Sequence, residues 1–470
     1  MNVCVIGAGP AGAMAALRAA ELGARTTLVT SDAFGGMAAN DGPVPVRTLA
    51  HAARLLRDAR QLSRYGITVS EPVLDYERLL KRVSEVIDDV RVHSSFRGLI
   101  DSFGAVVHEK TGDAHFVDSN TIETKSGLRL HADKFIICTG GMSRLLDVPG
   151  AELTATHSDA WGLTSVPPSM LVIGAGATGA QVASIFNSFG SRVQLFQSGP
   201  RILPTEDEDV SSAVAAAFRE AGVVVHEGFG KIESFEKTAN GVRMNFVKDG
   251  VRLTAEAALA VVAIGWISNA AGLNLAAAGV DTDRRGFVKV DEFMRTSAVH
   301  VYAAGDITGG LMLVPQATQS AFVAATNAAG NASMKYENRA SPIGSFTEPE
   351  YAQVGMTEAQ ASEGSRAIVK AVIRFDTTAR TIIDGHTAGF CKLIVDRATC
   401  RILGCHVVGE RAVEITQVAS IAMASGMRVD DLAQVPLSFP TYAGILVRVA
   451  AKAAHQLNLK MTWIANESER

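Results

Sequence analysis

Two stretches of this sequence place glycines where a phosphate group would need them. The first reads IGAGPAG, with Gly7, Gly9 and Gly12, and the second IGAGATG, with Gly174, Gly176 and Gly179. Glycine at these spacings permits a tight turn, lets the backbone come up against a pyrophosphate and seats the next helix close to its strand. The free N–H groups at the start of that helix then face the anion. A carboxylate at the end of the second strand commonly holds the ribose hydroxyls of a bound dinucleotide. The residues there are Thr30 in the first copy and Gln197 in the second, with Asp32 offering the first copy a nearby carboxylate from the loop. Loss of the acid from the second copy removes a repulsion against a 2′-phosphate. Ser198 and Arg201, in QSGPR, are candidate partners for that phosphate. The expected coenzyme of the second copy is therefore NADPH or NADH, with NADPH favoured.

Each motif needs a strand before it and a helix after it, and the flanking residues supply both. Val3 to Ile6 is an apolar strand, an alanine-rich helix closes at Gly23, and Thr26 to Val29 forms the next strand. MLVIGAGATGAQVASIFNSFGSRVQLF repeats the arrangement. One such motif is weak evidence, but two in full βαβ context point strongly to two dinucleotide sites.

The whole chain sets the bounds. At 470 residues it exceeds a single core, so two to four domains are expected. Hydrophobic residues at 47% and charged residues at 20% suit a soluble globular protein. A net charge of -4 without a basic arm argues against nucleic acid as the main partner. The longest apolar run, ALAVVAIGWI, is too short to span a membrane. The apolar N-terminus lacks a basic flank and runs straight into the glycine motif, unlike a signal peptide. Cys4, Cys138, Cys391, Cys400 and Cys405 are odd in number and scattered, which suits buried thiols in a reducing, cytoplasmic setting. No Cys/His spacing suggests a metal site.

Further segments carry a family resemblance. They are GGMAANDGPVPVRTLAHAARL from Gly35, FIICTGG from Phe135 to Gly141, TSAVHVYAAGD ending at Asp306, and SFTEPEYAQVGMTEAQA with GFCKLIVDRATCRILGCHVVGERAVEI near the C-terminus. Together with both glycine motifs, these make the chain similar to the pyridine nucleotide-disulfide oxidoreductases, including dihydrolipoamide dehydrogenase and mercuric reductase. The resemblance implies an α/β fold: two Rossmann-like dinucleotide-binding domains, for FAD and NAD(P), plus a C-terminal α+β dimerisation domain. The implied divisions are 1–148 with 270–336 for FAD, 149–269 for NAD(P) and 340–460 for the interface domain. It also implies a homodimer whose C-terminal domain completes the partner's site. Gly35, Gly36, Thr139, Gly140 and Gly265 join the cofactor contacts by this likeness, and Asp306 would bind the ribityl chain.

The likeness is broken where electrons would travel. The family's two redox cysteines fall on Ala38 and Pro43, its C-terminal histidine and glutamate on Phe439 and Gly444, and its flavin-side lysine and glutamate on Arg47 and Gln181. A tyrosine gate over the nicotinamide falls on Ala177, and a GRxPN motif reads GWISN with Trp266, read as packing. Cys400 and Cys405 have the family's spacing, but five strand residues span about 16 Å, beyond the about 7 Å a disulfide allows between Cα atoms. These two are therefore expected to be structural.

Arg47 has two readings: it favours reduced flavin electrostatically, or it simply pairs with an acid such as Asp41. Arg47, His51 and Arg54 share one helix face, and the outer arginines Arg57, Arg60 and Arg64 are expected to be solvated. The expected activity is transfer of electrons from NAD(P)H through FAD to a small acceptor, such as a quinone or oxygen, with no cysteine relay. Asn40, Pro43 and the partner's Phe439 and Tyr442 would wall the pocket. Alternatives are a non-catalytic FAD-binding scaffold, or a disulfide or metal reductase that uses an external thiol.

Overall fold

A computed structural model describes residues 1–460 apart from 94, 331–332 and 338–339. The strand Asn2–Ile6 is buried over all but its first residue, as expected of a central parallel strand covered on both faces. It lies in a five-stranded parallel sheet, in the order Val301–Ala303, Lys134–Ile137, Asn2–Ile6, Arg25–Val29, Val106–His108. Helix Pro10–Glu21 buries Ala11, Gly12, Ala13, Ala15, Ala16, Ala19 and Ala20. Small side chains along that face let it pack both on the sheet and against helix Val314–Ala329.

The second parallel sheet repeats this plan. Its order is Val224–Glu227, Arg192–Gln197, Ser169–Ile173, Leu259–Val262, Ala155–Thr156, and helix Ala177–Ser188 follows the second glycine turn. An antiparallel meander, Lys231–Thr238, Gly241–Lys248 and Val251–Ala257, closes one side over a core of Phe196, Phe229, Phe235 and Phe246. The chain passes between the two units through a two-stranded ribbon, Gly141–Ser143 against Trp266–Ser268. The third unit is a five-stranded antiparallel sheet backed by helices Ala412–Ala424 and Gly444–Gln456. In its edge strand Ile368–Arg374, buried and more exposed residues alternate, because one face packs on helices and the other meets solvent. Among the described residues no helix is long and apolar enough to cross a membrane.

Candidate functional site

Both glycine turns are built for close approach. A Cβ on Gly12 would lie 1.7 Å from the Gly7 carbonyl oxygen, and one on Gly179 would lie 1.8 Å from that of Gly174. Only hydrogen fits there, so each helix starts hard against its strand. Gly9 and Gly176 are the N-cap residues, and neither helix has an acid in its first turn to compete with an anion. These cradles fit the phosphates of two dinucleotides. Asp306 begins a short helical turn beside Gly141, and burial raises its carboxyl pKa. Thr139 and Gly140 hold the domain ribbon: the Thr139 hydroxyl donates to Asn269 O at 2.8 Å, and Asn269 N–H donates to Gly140 O at 3.1 Å. Thr30 is buried, and its carbonyl accepts from the backbone N–H and the hydroxyl of Thr111, each at 3.1 Å.

The side chains of the second cradle make local contacts. Gln197 Oε1 accepts from the Ala175 N–H at 3.0 Å, so the amide folds back into the glycine turn. Ser198 is exposed. Arg201, the candidate phosphate partner, donates to the carbonyls of Leu203 at 3.0 Å and Pro204 at 3.1 Å.

The cysteine-free segment sits on the first cradle. Gly35 N–H donates to Ala8 O at 2.9 Å, and a Cβ on Gly36 would lie 2.6 Å from Gly9 Cα. Asn40 Oδ1 accepts from Arg91 Nε at 2.9 Å and Nη2 at 2.6 Å, which fixes the end of helix Gly36–Asn40. Pro43 then opens helix Pro43–Gln61, where its missing N–H costs nothing. Asp41 does not pair with Arg47. Its carboxyl is raised by burial and faces the Ser158 hydroxyl, which lies 3.3 Å from His157 Nε2. His157 is buried, reaches Ser143 Oγ through Nδ1 at 2.9 Å and meets the Trp266 ring edge-on at 4.8 Å. Trp266 is thus a packing residue of the domain hinge.

Arg47 and Gln181 come together as expected: Arg47 Nη1 donates to Gln181 Oε1 at 3.0 Å. Gln181 Nε2 donates to Ala177 O at 3.2 Å, which sets the amide's orientation. A third member joins the pair in the structure alone. The Arg47 guanidinium carbon lies 3.4 Å from the centroid of the Phe346 ring. Burial pushes Arg47 down to about 10, against the pull of the Glu350 carboxylate.

Further along the same helix, Arg54 pairs with Glu350, and Arg57 pairs with Glu348 and, at 3.0 Å, with Glu410. Glu350 and Glu410 are buried. The expectation of solvated outer arginines therefore fails for Arg57, which anchors the helix to the third unit. Arg60 pairs with the exposed Glu71.

Phe439 and Tyr442 stand apart from Arg47 and Gln181, on the third unit. Phe439 is 86% exposed. Tyr442 is tied within its own domain: its hydroxyl donates to Asp384 Oδ2 at 3.0 Å, and its ring packs near Phe375. All five cysteines are free and buried. Cys391 and Cys405 lie side by side on adjacent strands, and this contact, with burial, holds the Cys391 thiol well above its usual range. Among the described residues, the carboxylates of Asp207, Asp209 and Glu358 lie close enough together to hold a metal ion. Lys392 Nζ already lies 2.9, 2.6 and 2.7 Å from them, so they form the counter-charge of a buried lysine.

Comparison with known proteins agrees with this architecture. Residues 1–321 match the pyridine nucleotide-disulphide oxidoreductase family, and residues 341–450 match its dimerisation domain. Dihydrolipoyl dehydrogenase of Staphylococcus aureus is 33% identical, over 96% of this chain and 96% of its own length. Mercuric reductase of Lysinibacillus sphaericus is 31% identical, over 94% of this chain and 80% of its own. The HOCl-induced flavoprotein disulfide reductase RclA from Escherichia coli superposes with a TM-score of 0.86 at 25% identity, covering 96% of this chain and 99% of that one. The two nucleotide cradles and the antiparallel third unit are thus those of a known enzyme class, and the chain belongs to the pyridine nucleotide-disulphide oxidoreductase family.

Proposed function

We propose that this protein is a FAD-dependent NAD(P)H oxidoreductase that passes electrons to a small acceptor without a cysteine relay. The observation that carries the reading is the Gly35–Leu49 segment, which is seated on the first cradle as a disulfide loop would be but contains no thiol. Its family uses FAD and NAD(P)H, and bound FAD would accept a hydride from the coenzyme and release electrons to an oxidant.

The chain's own residues supply binding, orientation and charge. Gly7, Gly9, Gly12, Gly35 and Gly36, with Asp306, Thr30, Thr139 and Gly140, line the FAD side. Gly174, Gly176, Gly179, Gln197, Ser198 and Gly265 line the coenzyme side. Arg47 holds a positive charge whose side-chain hydrogen-bond acceptor, Gln181, is neutral. Such a charge favours the anionic form of a reduced flavin and raises its potential. Ala177 leaves the coenzyme face open. In the homodimer, the partner's Phe439 and the partner's Tyr442 would wall the acceptor pocket with Asn40 and Pro43. The proposed division of the chain stays at 1–148 with 270–336, 149–269 and 340–460.

The overall transfer balances as NAD(P)H, one proton and a two-electron acceptor going to NAD(P)+ and the dihydro-acceptor. Quinones and oxygen fit this stoichiometry, and NADPH is favoured because an amide replaces the ribose acid at Gln197. The relative's name, mercuric reductase, favours a second reading with a metal ion as acceptor, served by an external thiol. The deciding experiment is anaerobic titration of the holoprotein with NADPH and, separately, NADH, following the flavin band. Bleaching that a quinone or air reverses supports the proposal, and the faster nucleotide identifies the coenzyme. Absence of bleaching with both sinks it in favour of a FAD-binding scaffold.

A further inference from the structure

Phe346 belongs to none of the family-like site positions, yet it touches both members of the Arg47–Gln181 pair. Its ring lies under the guanidinium, with 3.4 Å from Arg47 Cζ to the ring centroid. Its backbone N–H donates to Gln181 Oε1 at 3.4 Å, the same oxygen that accepts from Arg47. A guanidinium stacked on an aromatic face is attracted by the ring quadrupole and loses water on that side.

The segment that carries Phe346 is itself tightly held. It enters from strand Ile343–Ser345 of the third unit and leads into strand Tyr351–Gly355. Glu348 N–H donates to Ser184 Oγ at 2.9 Å on the coenzyme-domain helix, one turn beyond Gln181. Glu348 and Glu350 bind Arg57 and Arg54 on the helix that carries Arg47. Residues 346–350 are therefore wedged between helix Pro43–Gln61 and helix Ala177–Ser188, where all three units meet. A long side chain such as that of Arg47 has several rotamers, and a neutral amide alone holds it weakly.

We propose that Phe346 is the positioning residue for Arg47, fixing the guanidinium so that its charge acts at one place on the flavin site. The ring excludes water from one face of the cation, and the ion pairs of Arg54 and Arg57 keep the ring where it is. The depression of Arg47 by burial is in line with such a desolvated setting. The inference rests on the reading of Arg47 given above, and it makes the seating of the dimerisation domain part of the flavin's electrostatics.

The test is the reduction potential of the holoprotein flavin against a reference dye, with FAD retention recorded in parallel. For Phe346→Leu the reduced-to-oxidised ratio at fixed potential is expected to fall about tenfold, which is about 30 mV for a two-electron couple. Phe346→Tyr keeps the aromatic face and should stay within about twofold of wild type. Arg47→Met should fall at least as far as Phe346→Leu, and the double variant should fall no further than Arg47→Met.

If Arg47→Met lowers the ratio but Phe346→Leu does not, or if the two effects simply add, the positioning role of Phe346 is overturned and the Arg47 reading survives. If Arg47→Met itself leaves the ratio unchanged, the Arg47 reading fails and this inference falls with it. Should Phe346→Leu not yield holoprotein, Phe346→Met keeps the bulk without the π-face and reads the same outcomes.

Discussion

Glu206 gives a prediction whose size can be worked from its surroundings. It lies in the cleft of about 850 Å³ between the coenzyme domain and the dimerisation domain, and it is 6% exposed. Its Oε1 accepts from Gln353 Nε2 at 3.2 Å and from the Thr205 hydroxyl at 3.3 Å, whereas Oε2 is buried with no hydrogen-bond partner. Burial pushes its carboxyl up from the usual 4.5 to about 7; the Thr205 hydrogen bond opposes this, the Asp207 charge adds to it and the Arg201 charge opposes it. The folded state thus holds a proton that the unfolded chain releases near its ordinary pKa. Stability from this group is fully present below about pH 4.5 and is lost as pH rises through about 7.

The gap between 4.5 and about 7 is worth about 3 kcal/mol at about 1.4 kcal/mol per pH unit. Glu206→Gln replaces the carboxyl with an amide of the same shape that has no charged form. Its oxygen still accepts from Gln353. Relative to its value at low pH, the stability gap between variant and wild type should widen by about 1 kcal/mol at about pH 5 and about 3 kcal/mol at about pH 8. Urea unfolding of both proteins across that range, with FAD in excess, reads the gap, and the titrations they share cancel in the difference. A gap that stays constant with pH would refute the claim that native Glu206 is protonated near neutrality.

Gln181→Glu places a carboxylate where Oε1 now sits 3.0 Å from Arg47 Nη1, so the guanidinium is compensated and the flavin potential should drop by about 30 mV or more by dye equilibration. Gly179→Ala would set a Cβ 1.8 Å from the Gly174 carbonyl; the purified variant should keep its flavin yet lose bleaching by NAD(P)H, while Gly12→Ala should lose the flavin itself. Alkylation of the native holoprotein with iodoacetamide should leave NAD(P)H-driven flavin bleaching unchanged, because all five thiols are buried. Loss of bleaching on alkylation would bring a thiol back into the mechanism.

What the sequence made legible was local or repeated. The two cradles follow from glycine spacing within one βαβ unit, and the structure has both. The Arg47–Gln181 contact joins residues 134 positions apart and was reached only through family resemblance. Phe346, Glu348 and Glu410 were missed because their partners lie far away in the chain; Arg57 meets Glu348 across 291 positions and Glu410 across 353. Helix periodicity shows which arginines share a face but not what another domain brings to that face. Arg201 donates to the carbonyls of its own loop, a local contact that glycine spacing does not announce.

The fate of the cysteines bears on whether electron transfer by thiols has been lost or only moved. A relocated relay would need two thiols within bonding distance, exposed to the flavin site and easily ionised. Cys391 and Cys405 meet the first condition loosely, but both are fully buried in the core of the dimerisation domain. Cys4 is pushed up to about 12 by burial, and Cys138 is likewise raised. The Cys138 Cβ lies 3.5 Å from where a Gly12 Cβ would stand, so this residue underlies the cradle as packing. None of the five meets all three conditions. The cation at Arg47, by contrast, is hydrogen-bonded to the neutral Gln181 and feels a carboxylate, Glu350, only through space. A site without a thiol but with such a cation is better suited to stabilising a reduced flavin until an acceptor arrives than to handing electrons to a disulfide. This is the physical ground for placing the direct transfer ahead of the thiol routes.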